Sequence, residues 1–282
     1  GLGVGAVEHE LERRRTTRRE VGAVAGGDHE RGLDPPRVEE GIEDTGVPAL
    51  RDEVEVAALQ ERLGDVAGGA CAGLGLLLDI REAAHPIRID MAADANMSFW
   101  HSATFSNDGT KVLFSDEWGG GSAPRCRSTD KLEWGADALF TIEKNKMVFH
   151  SYYKMPAAQT DQENCVAHNG SLIPIPGRDV MVQAFYQGGL TVFDWTDVAH
   201  PKEIAYFDRG PLDATRMVSA GSWSAYWYNG VIVSSEIARG LDVYEILPSG
   251  LITQNEIDAA KTVRFDYFNT QDQQKLVWPP SF

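Results

Sequence analysis

From Phe99 onward the chain alternates short apolar runs with turn signals. Residues 101–106 (HSATFS) lead into Asn107-Asp108-Gly109, which tolerate positive φ and so predict a hairpin. Residues 111–118 follow as a buried strand. Residues 138–143 and 147–153 flank a second turn at Lys144-Asn145-Lys146. The pattern continues through 166–177, 180–186, 190–195 and 203–208, then through 224–230, 231–237 and 241–246. Strands of about 5–7 residues with turns between them predict an all-β sandwich, barrel or propeller. The exception is 255–263, where Glu256, Ile257, Ala259, Ala260 and Lys261 favour a short helix.

The pattern also repeats. KVLFSDEWGGG from Lys111, DVMVQAFYQGGLTVFDW from Asp179 and GVIVSSEIARGLDVYEI from Gly230 align as a buried strand, a Gly hinge and an alternating strand. Residues 189–194 match 240–245, 51 positions later. One such sheet cannot bury both faces alone, so copies must stack radially, as propeller blades do. Up to three blades can be assigned, the first of them irregular.

Composition marks a seam. Residues 1–92 hold no Phe, Trp or Tyr, and eleven Arg but no Lys. Two readings of this segment stay open. One is a disordered or partly helical acidic-basic leader, with a helix over 53–66 that puts Val56, Leu59 and Leu63 on one stripe. The other is a GC-rich gene read on the wrong frame or strand, in which case 1–92 is absent from the native protein. The expected organisation is thus 1–92 followed by a propeller portion over 93–282. The formal net charge of −16 disfavours nucleic acid and anionic membranes as partners. No run approaches the ~18 apolar residues of a membrane span, and the start shows no signal-peptide pattern.

The stretch GGLTVFDWTDVAHPKEIAYFDRG (188–210) resembles the LVIVD repeat, with its Gly-Leu-x-Val-hydrophobic-Asp strand, Thr-Asp turn, Pro and returning strand. FWHSATFSNDGTKVLFSDEWGGG, ENCVAHNGSLIPIPGRD and SEIARGLDVYE extend the likeness to the C-terminal half of bacterial LVIVD-repeat proteins over roughly 95–282. The resemblance implies an incomplete β-propeller of about three to four blades, placed outside the cytoplasm. Its function would be non-catalytic binding or scaffolding of an unknown small molecule or protein. An incomplete ring would leave an open sheet edge, through which copies can self-associate.

His101 and His168 each precede a buried strand by about ten residues, which places both near the axis of such a propeller. Glu117 and Glu236 follow Val-x-x-Ser at matching offsets, and Asp116 is adjacent. Two imidazoles and two carboxylates can hold a transition metal, or can hydrogen-bond one another in a polar channel. The first option carries the alternative function, a copper- or iron-type oxidoreductase. Trp223 and Tyr226 belong to an aromatic cluster that either packs blades or stacks a ligand, and Arg239 either pairs with a carboxylate or clamps an anion. Cys126 and Cys165 lie in polar loops flanking consecutive repeats. In an exported protein these can form a disulfide; the alternative is two unrelated buried thiols.

Overall fold

The computed structural model describes residues 54–58, 73–82, 84–264 and 278–279. Among the described residues the fold is all-β, in four antiparallel sheets. The first comprises β1 (Val54–Ala58), β2 (Gly73–Asp79) and β3 (Ile87–Asp94). The second comprises β4 (Trp100–Phe105), β5 (Lys111–Asp116), β6 (Asp137–Glu143) and β7 (Lys146–Tyr153). The third holds β8 (Gly170–Ile173), β9 (Val180–Ala184), β10 (Leu190–Asp194) and β11 (Lys202–Phe207). The fourth holds β12 (Ser222–Tyr228), β13 (Val231–Glu236) and β14 (Gly240–Tyr244). Every sheet is a meander in chain order, and none closes on itself.

Turn chemistry sets the hairpins. Lys144 and Asn145 both take positive φ between β6 and β7, as do Asn229 and Gly230 between β12 and β13. Two consecutive left-handed residues match the twist of the strands they join. The helix expected near the C-terminal end is α1 (Gln254–Thr262), opened by a Thr253–Glu256 capping box.

Three apolar cores lie between the four sheets. In β5, Val112 and Phe114 face the first sheet while Leu113 faces the third. In β9, Met181 faces the second sheet while Val180 and Val182 face the fourth. Side chains alternate along a strand, so a strand covered on both faces must be apolar at nearly every position. That explains the unbroken runs VLF and VMV. Among the described residues the fourth sheet is covered on one face only. Leu241 and Val243 are 69% and 55% exposed, although Leu190 and Val192, at the same repeat positions, are 4% and 3% exposed.

The N-terminal expectation changes where it can be compared. Residues 54–58 form strand β1, not the first turns of a helix, and pair with β2 from Val54–Asp79 to Ala58–Gly75. The alternation VEV outweighs the weak helical stripe, because a neighbouring strand supplies a ladder that an isolated helix lacks. Residues 59–66 of that predicted helix, like 1–53, lie outside the described residues. β3 runs across position 92, and β2 reaches the second sheet so closely that a Cβ on Gly75 would sit 2.4 Å from the Phe114 ring.

Candidate metal centre

Three chain segments deliver the site. β4 and β5 lose register between Trp100 and Ser102, and His101 occupies that bulge. Bulges re-aim a side chain. Glu117 follows β5 directly, its backbone N–H donating to the Phe99 carbonyl at 2.8 Å. His168 stands two residues before β8, with its N–H on the Ala184 carbonyl at 3.0 Å.

The geometry is compact. Nε2 of His101 lies 3.7 Å from Oε2 of Glu117, and Nε2 of His168 lies 3.3 Å from Oε1. The two imidazole rings are 4.2 Å apart at 32°. One ligand atom from each of the three residues fits within 4.8 Å of the others. His168 is 2% exposed in its side chain and His101 29%, so solvent reaches the group from the His101 side.

His168 Nδ1 bonds the Trp223 backbone carbonyl. A carbonyl only accepts, so Nδ1 carries a proton and Nε2 is the ring atom turned to Glu117. Nε2 faces a Glu117 carboxylate oxygen and is buried without an aligned hydrogen-bond partner. Either a proton on Nε2 or a metal ion in its place satisfies this pair. Two imidazoles and a carboxylate whose ligand atoms converge in this way are what makes the group fit a metal.

The surroundings hold the donors in place. Tyr186 donates its hydroxyl to Glu117 Oε1. Trp223 occupies the β12 bulge between Ser222 and Ser224 and stacks on His168 at 5.6 Å. Gln183 donates to the His168 carbonyl at 2.9 Å and to Asp137 at 2.8 Å. Burial and the neighbouring His168 hold the His101 imidazole below its usual range, against the pull of Glu117, which favours the neutral ring that a metal needs. Burial opposes the charge on Glu117, yet His168 and Tyr186 outweigh it and keep the carboxyl below its ordinary value.

No protein-family model matches the chain. A search of curated proteins finds no match either.

Of the four metal ligands expected from sequence, the structure brings together His101, Glu117 and His168, but not Glu236. The carboxylate of Glu236 accepts from the N–H groups of Gly221 and Ala238, at 2.8 and 2.9 Å, and from Arg239 at 3.1 Å. The strand pairing explains why. Glu236 pairs with Ser222 just before the β12 bulge, and the residue so placed in the second sheet is Asp116, opposite Trp100. Alignment on Val-x-x-Ser is therefore one residue out. Asp116 plays the same backbone role, accepting from Ser98, Phe99 and Gly135 at 3.1, 2.6 and 3.1 Å. Arg239 is thus a structural partner of Glu236, and Tyr226 sits further along β12, opposite Val233. Of the predicted ligand-stacking residues, Trp223 stacks on His168.

Sequence reading missed Tyr186. Once the repeat is shifted by that one residue, Tyr186 takes in the third sheet the place that Glu117 takes in the second, and this was the available signal. Cys126 and Cys165 are joined as a disulfide, with Cα atoms 5.6 Å apart. The bridge ties the segment leading to His168 to the β5–β6 connection.

Proposed function

We propose that this chain is a metal-binding module of β-propeller architecture, of the LVIVD-repeat kind, acting outside the cytoplasm. The observation that carries the metal reading is the convergence of one ligand atom each from His101, Glu117 and His168 within 4.8 Å, with His168 Nε2 buried and facing Glu117. Two imidazoles and one carboxylate suit zinc, copper, iron or nickel rather than magnesium or calcium. The propeller reading draws on four meanders stacked in chain order, with cores between them and a repeated strand–hinge–strand text. A disulfide is compatible with an oxidising compartment. Among the described residues no helix is long and apolar enough to cross a membrane.

The test is calorimetric titration of chelator-treated protein with Zn²⁺. One equivalent binds the intact chain, and the double variant His101→Ala/His168→Ala binds none. Equal binding by both proteins, or none by the intact chain, refutes the reading. The alternative, a copper- or iron-dependent oxidoreductase, is favoured by a single feature: three protein donors leave a transition metal with room for another ligand.

A further inference from the structure

We propose that the metal centre keeps an exchangeable coordination position for a small anion, and that Tyr186 is the positioning residue that keeps it open. This rests on the metal-binding reading above. Among the described residues the group offers three donors, His101, Glu117 and His168, and no fourth His, Cys, Asp or Glu joins them. A transition metal takes at least four ligands. With no further His, Cys, Asp or Glu in the group, we assign the fourth either to the second carboxylate oxygen of Glu117 or to a ligand from outside the protein. The Tyr186 hydroxyl engages Oε1 of Glu117, which fixes the rotation of the carboxylate with Oε1 toward His168 and Oε2 toward His101 and so keeps it from turning to chelate through both oxygens. The outside ligand then enters past His101, the exposed edge of the group. A divalent ion with one carboxylate and two neutral imidazoles retains one positive charge, so a small anion is the ligand class favoured.

The fold is built to seat this tyrosine. Tyr186 adopts φ +51°, a left-handed conformation that a bulky residue takes only when its surroundings hold it there. Its backbone exchanges hydrogen bonds with Ser222 at 3.0 and 2.9 Å. A Cβ on Gly121 would lie 2.2 Å from the phenol ring, and one on Gly221 would lie 1.9 Å from the Tyr186 backbone carbon. Two glycines in left-handed conformation thus make room for this residue, Gly121 for its ring and Gly221 for its backbone.

The experiment loads the full chain with Co²⁺ and titrates it with azide, following the visible absorption. In the intact protein azide shifts the spectrum saturably. In Tyr186→Phe the carboxylate is free to chelate through both oxygens. The cobalt spectrum changes before azide is added, azide affinity falls at least tenfold, and Co²⁺ affinity changes by ~10–100-fold. Gly121→Ala, which displaces the ring without removing the hydroxyl, shifts the spectrum in the same direction. A cobalt-loaded intact protein that ignores azide overturns the inference and leaves the metal-binding reading standing. So does a folded Tyr186→Phe variant with an unchanged spectrum and azide response. Failure of the intact chain to take up Co²⁺ removes the metal-binding reading and this one together.

Discussion

Replacing both Cys126 and Cys165 with Ser tests how the second and third sheets are held together. The two residues are 39 positions apart, so the bridge closes a loop of that length in the unfolded chain. Loop-closure entropy for such a loop amounts to ~4 kcal/mol at 25 °C. Both cysteines are buried in the core that Leu113, Met181, Phe185 and Trp195 share between those sheets. The serine hydroxyls therefore enter an apolar site, which adds to the loss. For a chain of this size the melting temperature falls by roughly 8–16 °C. Differential scanning calorimetry of the oxidised protein, the reduced protein and the double serine variant measures it. The reduced protein melts close to the variant, because both lack the cross-link. A variant that melts within about 2 °C of the oxidised protein refutes the reasoning; the bridge then contributes nothing to cohesion between the sheets.

Other outcomes follow from single groups. Gly75→Val forces a side chain against the Phe114 ring, itself stacked on Trp100 at 4.4 Å, and overpacking of this kind costs ~1–3 kcal/mol in urea unfolding. An unchanged midpoint means that β2 does not pack on the second sheet. Lys154 is buried, donates to the carbonyls of Arg125 and Trp134, and is held by burial down to about 8. The unfolded chain therefore binds more protons than the folded one between about pH 8 and the ordinary lysine range. This group makes stability rise with pH across that window, by up to ~1.4 kcal/mol per unit. Urea midpoints of the native protein rise relative to those of Lys154→Met as pH is raised through that window, and parallel curves count against the burial of the amine. Phe114→Ala removes a fully buried ring that stacks on Trp100 and meets Phe140 edge-on. Equilibrium unfolding gives a loss of ~3–5 kcal/mol, whereas a loss under 1 kcal/mol contradicts the core assigned between the first two sheets.

Strands were legible where two signals agreed. The runs VLF and VMV are apolar because both faces are covered, and Asn107-Asp108-Gly109 and Asn229-Gly230 mark where the chain must reverse. The helix after Thr253 carried both its cap and its propensity. Residues 54–58 were misread because VEVAA carries a helical stripe as well as an alternation, and only a neighbouring strand decides between them. The candidate site was half legible. His101 and His168 are set by their distance from a buried strand, which a repeat preserves. Glu236 was grouped with them because Val231-x-x-Ser234 imitates Val112-x-x-Ser115 one residue out of the register that strand pairing sets, in which Ser235 matches Ser115 and Glu236 matches Asp116. Tyr186 was missed for the same reason. The proton on His168 Nδ1 is held by the Trp223 carbonyl 55 residues away, a contact that no local pattern encodes.

The most direct test of the metal-binding account is X-ray absorption at the metal edge of the Zn²⁺-loaded chain. The account predicts two imidazole nitrogens at about 2.0–2.1 Å and at least one oxygen at about 2.0–2.2 Å, with no sulfur. Loss of one imidazole contribution in His168→Ala would tie the signal to this site. A shell containing sulfur, a shell of oxygens alone, or one unchanged in His168→Ala would contradict it.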